Sequence, residues 1–159
     1  QLTEKIGKII YFNPYGSGSQ RKLSAIKINE IKNHIQKIFP RHSILIQSKE
    51  HSGLSIKDIG DNVYVFETNA FNDILAIIGI SVFVVSVDTA TSHAATALGK
   101  SSIVFYLENK ENYIEWNADS DRSLPILSKR RKGRVLSDIN NFSNDELSDS
   151  LIKIKSTIN

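Results

Sequence analysis

The stretch from Val82 to Tyr106, VFVVSVDTATSHAATALGKSSIVFY, limits the possible folds more than any other part of the chain. Two apolar, β-branched runs flank a polar turn, Asp88-Thr89-Ala90-Thr91-Ser92-His93, and a short alanine-rich helix. Apolar runs without polar alternation fit strands covered on both faces by helices, and parallel sheets of that kind bind ligands beyond the carboxyl ends of their strands. Asp88 falls at such an end.

The rest of the chain repeats this alternation. Lys8 to Phe12 reads as a first strand, followed by a loop dense in turn formers, Asn13 to Lys22. Ser24 then caps a helix whose Ile28, Ile31, Ile35 and Ile38 recur at helical spacing and which stops before Pro40. Ser43 to Gln47 and Val63 to Phe66 are further strands, and the intervening segment with Gly53 and Gly60 is expected to hold one helical turn. Ala70 to Ile78 is a short apolar helix, Thr91 to Leu98 another, and Ser102 to Leu107 a strand. After a polar stretch containing Trp116, Asp119, Asp121 and Pro125, a sixth short strand is expected over Arg134 to Ile139. A last helix, Asn144 to Ile158, carries Leu147, Leu151, Ile154 and Ile158 on one face. Strands and helices in this order predict an α/β fold, a Rossmann-like doubly wound parallel sheet.

At 159 residues and 40% hydrophobic composition, one domain spanning residues 1–159 is expected. The chain begins at Gln1, has no methionine and enters a strand within its first dozen residues, so an excised piece preceded by further chain is expected. The longest apolar tract, Ile74 to Val87, is broken by Gly79, Ser81 and Ser86 and falls short of the ~20 residues that span a bilayer. The lack of cysteine rules out disulfides, thiolate metal sites and cysteine nucleophiles, and fits a reducing cytoplasm. The net charge of +3 is concentrated in Lys129-Arg130-Arg131-Lys132 and Arg134. That run reads as a solvated loop, a nucleic-acid patch, a contact to an acidic membrane or a clamp on a phosphorylated glycolipid. Without interleaved aromatics or an accompanying motif, nucleic acid is not an expected partner; a solvated loop is the leading reading and peripheral contact with a cytoplasmic leaflet the second.

Two places bear ligand chemistry. In Asn13 to Lys22, successive backbone N–H groups and hydroxyls ahead of a helix attract phosphate, with Arg21 and Lys22 adding charge; the bland alternative is a plain turn. It is no Walker A loop, and the dinucleotide fingerprint fails because Arg21 stands in place of the third glycine. Around Asp88 three readings compete. Asp88 and His93 join Ser86 or Ser92 in a hydrolase triad, although no Gly-x-Ser-x-Gly elbow is present. Alternatively, Asp88 caps the helix and His93 is a surface residue of its first turn, or the same helix start receives a diphosphate. His34, His42, His51 and His93 lack metal-ligand spacing. Asp119-Ser120-Asp121 has the Asp-x-Asp form that can hold a divalent metal, but no apolar strand precedes it, and a solvated loop is the expectation.

The segment Asp88-Thr89-Ala90, His93-Ala94-Ala95 and Ala97-Leu98-Gly99-Lys100 resembles the donor-binding motif of glycosyltransferase family nine, the ADP-heptose:lipopolysaccharide heptosyltransferases. Ala90 stands where that pattern has glycine, and Ser101 where it has proline. The resemblance spans about Lys8 to Leu107 and implies the C-terminal half of a GT-B glycosyltransferase. That half would bind a nucleotide-sugar donor without metal or cofactor, with the lipopolysaccharide acceptor and the catalytic base in an N-terminal domain absent from this chain. It also implies donor-binding residues. Ser17, Ser19 and Lys22 would contact the phosphates, Arg21 being able to exchange roles with Lys22. Glu50 would contact the ribose and Asp88 the sugar hydroxyls, with Thr89, the Ala90 amide and His93 on the diphosphate side. The rivals are an enzyme using another nucleotide sugar and a noncatalytic binding module.

Overall fold

The computed structural model describes residues 6–49, 55–108, 121–129, 132–133 and 138–158. Strand β1 (Ile9–Asn13) is buried along its whole length and lies at the centre of the sheet, with β2 (Ser43–Ser48) on one side and β5 (Ser81–Val87) on the other, both parallel to it. Between β1 and β2 runs α1 (Ala25–Ile38), whose cap Ser24 accepts a hydrogen bond from the Lys27 N–H and whose Ile31 and Ile35 are buried. Helix α2 (Phe71–Ile80) passes directly into β5 at Ser81, whose hydroxyl donates to the Ile77 carbonyl at 2.7 Å. Helix α3 (Ala90–Ala97) connects β5 to β6 (Ser101–Tyr106), and α4 (Asn144–Thr157) closes the described chain.

Alternating side chains of the central strands enter two separate cores, as a doubly wound sheet requires. Ile10 and Phe12 of β1 join Phe83, Val85 and Phe105 beneath α1 and α4, where Leu147, Leu151 and Ile154 are buried. Ile9 and Tyr11 point the other way and pack with Leu45, Phe66 and Val84 beneath Ile77, Ala94 and Ala95 of α2 and α3. The Tyr11 hydroxyl donates to Gln47 Oε1, joining β1 to β2 within this second layer.

With β3 spanning Ser55–Gly60, β4 Val63–Glu67 and β7 Ser123–Leu127, seven strands among the described residues run in the order β3-β4-β2-β1-β5-β6-β7. Two of them were not expected. The segment expected to hold a helical turn contains β3 (Ser55–Gly60), which pairs antiparallel with β4. Its Lys57, Asp58 and Ile59 are exposed, so this edge strand lacks the continuous apolar run that marks the buried ones. Asp61 and Asn62 join the two strands, with Asn62 at φ +57°, a left-handed conformation that asparagine tolerates. Strand β7 (Ser123–Leu127) lies in the polar stretch and runs parallel to β6. It contains Pro125, which an edge strand accommodates because its missing N–H need not join a ladder. Of the strand expected over Arg134 to Ile139, residues 134–137 lie outside the described residues. Asp138 to Asn140 form a turn instead, the Asp138 carboxylate accepting from the Asn140 N–H at 3.0 Å. No helix among the described residues is long and apolar enough to cross a membrane.

Chain order reverses at β1. From it the chain moves outward through β2, then returns across the sheet to β5 and proceeds through β6 to β7 on the other side. The carboxyl ends of β1 and β5 therefore flank a topological switch point, where open α/β sheets form their ligand crevice.

Candidate functional site

Asn13, the last residue of β1, is buried and ties the two sides of that crevice together. Its Nδ2 donates to Thr91 Oγ1 at 2.8 Å in the first turn of α3, while its Oδ1 accepts from the Tyr15 N–H at 3.1 Å. The loop then folds back on itself, the Gly16 N–H donating to the Arg21 carbonyl at 2.7 Å and the Leu23 N–H to the Pro14 carbonyl at 3.0 Å. A side chain at position 16 would place its Cβ 2.7 Å from Arg21 Cβ and 3.2 Å from Thr89 Cγ2. Only glycine allows the loop to fold back this closely on Arg21 while resting against Thr89 of the turn after β5. Gly18, at φ +82°, opens the single 3-10 turn Ser19–Arg21, leaving Ser17, Gly18 and Ser19 exposed at the tip.

On the other side of the crevice, the Asp88 N–H donates to the Phe105 carbonyl at 3.0 Å, which fixes the turn against β6. Thr89, not Asp88, caps α3, its hydroxyl accepting from the Thr91 N–H at 3.1 Å. The reading of Asp88 as the cap is corrected accordingly: its carboxylate turns toward the loop and lies 3.7 Å from Arg21 Nη1. Burial pushes the Asp88 carboxyl above its ordinary range, opposed first by the charge of Arg21 and then by that of His93. His93 is exposed on the first turn of α3, and Ala90 is exposed at its start.

The two segments thus meet through Asn13 and Thr91, Gly16 and Thr89, and Arg21 and Asp88, while Ser17 and Ser19 stand exposed at the loop tip and Lys22 lies over the Tyr15 ring. Glu50 lies outside the described residues. The serines of the triad reading are engaged elsewhere, Ser86 Oγ donating to the Val87 carbonyl and Ser92 Oγ to the Thr89 carbonyl, both at 2.7 Å. Neither is oriented as a nucleophile toward His93.

Three features of the site were not anticipated. Asn13 links loop and helix; a polar residue ending an all-apolar strand was its only signal. Lys49, just after β2, donates from Nζ to the Gly16 carbonyl at 2.9 Å. Its ammonium and that of Lys22 lie 6.0 and 5.3 Å from the centre of the Tyr15 ring. The third is the pairing of Arg21 with Asp88, which turns Arg21 toward the crevice and Lys22 toward Tyr15. Beside the loop a cleft of about 380 Å³ is lined by Tyr15, Ser19, Lys22, Ser24, Ile28 and Asn140. Arg21 thus faces the turn after β5 while Lys22 and Lys49 flank Tyr15, placing three cations around one glycine-bearing loop next to the capped start of α3, an arrangement suited to an anion.

Asp121 stands in the turn just before β7, hence at the opposite end of the sheet from this crevice, and Asp119 lies outside the described residues. Of the basic run, Lys129 and Lys132 are described and exposed, Lys129 lying 4.0 Å from Glu146; Arg130, Arg131 and Arg134 lie outside the described residues. Lys100 of the Gly-Lys pair donates to the Ser81 carbonyl at 2.9 Å, also at the far end.

A doubly wound, mostly parallel sheet with its crevice at the β1/β5 switch point is the Rossmann-like architecture of one half of a GT-B glycosyltransferase. The chain is similar in sequence to the putative lipopolysaccharide heptosyltransferase 4 of Escherichia coli K12, with 26% identity over 137 residues, covering 80% of this chain and 37% of that protein. Among solved structures it superposes on E. coli heptosyltransferase WaaC with ADP at a TM-score of 0.65, with 12% identity over 95% of this chain and 45% of that one. A family nine glycosyltransferase from Veillonella parvula gives a TM-score of 0.70, with 10% identity over 98% of this chain and 48% of the other. The E. coli ADP-heptose lipopolysaccharide heptosyltransferase II gives 0.64, again with 10% identity, over 98% and 50%. No family model matches the chain. The resemblance to glycosyltransferase family nine read from Asp88-Thr89-Ala90 and His93 is thus met in sequence and in fold, over less than half of the curated relative and at most half of these structures.

Proposed function

We propose that this chain is the donor-binding half of an inverting, metal-independent glycosyltransferase that moves heptose, or a related sugar, from ADP-heptose to the inner core of lipopolysaccharide or lipooligosaccharide. The observation that carries this reading is the junction of the Asn13 to Lys22 loop with the Asp88 to His93 turn at the β1/β5 switch point, Arg21 lying 3.7 Å from Asp88. The relatives supply the donor class: one neighbour is described with ADP and another with ADP-2-deoxy-2-fluoro heptose.

In this reading the diphosphate lies between the Ser17 and Ser19 hydroxyls, Lys22 and the amides that open α3 at Thr89 and Ala90, with His93 at its flank. Asp88 accepts from sugar hydroxyls and Glu50 from the ribose. An acceptor hydroxyl oxygen bonds to the anomeric carbon as the bond from that carbon to the diphosphate oxygen breaks. The electron pair leaves with ADP, and the hydroxyl proton passes to a base in the other half of the enzyme. Lys22 and Arg21 stabilise charge on the departing diphosphate, the contribution a preorganised cationic loop can make.

Calorimetry with ADP-heptose and with UDP and GDP sugars tests this. A preference for the ADP donor is expected. A preference for a UDP or GDP sugar reassigns the donor, and binding of none of them overturns the donor reading in favour of a noncatalytic module.

A further inference from the structure

Lys49, the first residue after β2, directs its ammonium at backbone rather than at a carboxylate. Its Nζ donates to the Gly16 carbonyl at 2.9 Å and lies 6.0 Å from the centre of the Tyr15 ring. That ring offers its negative face to Lys49 and, at 5.3 Å, to Lys22 as well, which confines both ammonium groups beside the loop. No carboxylate among the described residues pairs with Lys49, so its charge stands uncompensated against the Gly16 oxygen.

Gly16 is thereby held at both ends. Its N–H donates to the Arg21 carbonyl at 2.7 Å, and its carbonyl accepts from Lys49. In a planar trans peptide the carbonyl and the following N–H point in opposite directions. Lys49 approaches from the β2 side of β1, whereas β5 and the turn that follows it lie on the other side. With the Gly16 carbonyl drawn toward Lys49, the Ser17 N–H is directed to the side of Thr89, whose Cγ2 would lie 3.2 Å from a Cβ at position 16. Among the described residues that N–H has no hydrogen-bond partner. An open donor beside the capped start of α3 adds to the amides that attract an anion there.

We propose that Lys49 is a positioning residue that fixes the Gly16–Ser17 peptide so that the Ser17 N–H donates to an anion in the β1/β5 crevice. That anion is the diphosphate under the donor reading, on which this inference rests. The Lys49 ammonium itself stays on the far side of the peptide. From there it polarises the carbonyl it holds, and hydrogen bonds in series strengthen one another. The charge of Lys49 thus reaches the ligand through one peptide unit, whereas Arg21 faces the turn after β5 directly. Such an indirect contribution depends on the loop remaining folded back at Gly16, which a direct contact would not.

Calorimetry of the whole chain with ADP, inorganic pyrophosphate and adenosine, together with its amide NMR spectrum, tests the proposal. Lys49→Met should weaken ADP and pyrophosphate about tenfold, the effect of one hydrogen bond to a charged group, and leave adenosine unchanged. Lys49→Arg should restore most of the loss. ADP should shift the Ser17 amide proton downfield in the parent and much less in Lys49→Met, a signature that a merely stabilising lysine would not give. In a Gly16→Ala background Lys49→Met should cost little more, since both changes act through the same peptide. Full additivity means that Lys49 touches the anion itself and overturns the positioning role, as does an unmoved Ser17 amide or an equal loss for adenosine. If the parent binds neither ADP nor pyrophosphate, the donor reading fails and this inference with it. If the parent binds both and Lys49→Met binds them equally well, this inference alone fails.

Discussion

Arg21 Nη1 lies 3.7 Å from Asp88 Oδ2, joining the loop after β1 to the turn after β5 across the switch point of the sheet. Without ligand, a cation assigned to diphosphate and a carboxylate assigned to sugar hydroxyls thus satisfy each other. Burial holds the Asp88 carboxyl above its ordinary range despite Arg21, so between the unfolded and folded pKa values the folded chain binds more protons. Stability therefore falls as pH rises through that window, and at neutral pH the ionised Asp88 costs stability. Asp88→Asn should melt no lower than the parent at pH 7, with any gain shrinking as pH falls below the folded value, while binding of a nucleotide sugar weakens more than binding of the free nucleotide. A clear drop in melting temperature at pH 7, or equal weakening for both ligands, contradicts the assignment.

Replacing Arg21 and Lys22 together with alanine should weaken ADP more than adenosine, since both cations are placed for the diphosphate. Added salt should act in the same direction. Arg21→Ala alone should raise the Asp88 carboxyl further, measurable by NMR titration of that carboxylate, because the largest opposing charge is gone. Equal losses for ADP and adenosine would remove the loop from the phosphate site.

Gly16→Ala tests the tight fold-back of the loop on Arg21. The added Cβ meets Arg21 Cβ at 2.7 Å and the Arg21 carbonyl oxygen at 3.0 Å, contacts at the root of a side chain and on backbone that no rotamer change relieves. The loop must shift and its hydrogen bond to Arg21 lengthen. ADP affinity should fall about tenfold, and the melting temperature only modestly, since the loop tip is outside both cores. Unchanged ADP affinity would show that the fold-back does not matter for binding.

Buried Asn13 should be costly to remove. Alanine there leaves the Tyr15 N–H and the Thr91 hydroxyl without this partner inside the fold, a loss worth about 1–3 kcal/mol by thermal or denaturant unfolding. Unaltered stability would mean that water replaces the amide.

The central strands were legible because burial on both faces leaves continuous apolar runs, as at Ile9 to Phe12 and Val82 to Val87, and the helices because Ile31, Ile35, Leu147 and Leu151 keep the helical period. The edges were not. Lys57 and Asp58 in β3 and Pro125 in β7 are residues an edge strand tolerates and a central strand does not, so the sequence there resembles loop. At the site, the glycine-serine loop and Asp88 announced themselves by falling after apolar strands. Lys49 did not, because its contact with the Gly16 carbonyl depends on the order in which β1 and β2 lie in the sheet, and that order is not written in any local pattern.

The position of Asp121 bears on metal dependence. It opens β7 at the pole where the parallel strands begin, whereas the loop and turn assigned to the donor lie at the carboxyl ends of β1 and β5. A metal held by Asp119 and Asp121 would therefore be remote from the diphosphate. Donor binding should survive a chelator, and Asp121→Ala should bind as the parent does. The chain should nonetheless transfer no sugar by itself, because catalysis requires acceptor, base and donor held within a few Å and, in the proposed reading, this chain supplies only the donor side. Calorimetry with and without chelator and a transfer assay on residues 1–159 decide the matter. Sugar transfer by this chain alone, or loss of binding on chelation, would overturn the assignment.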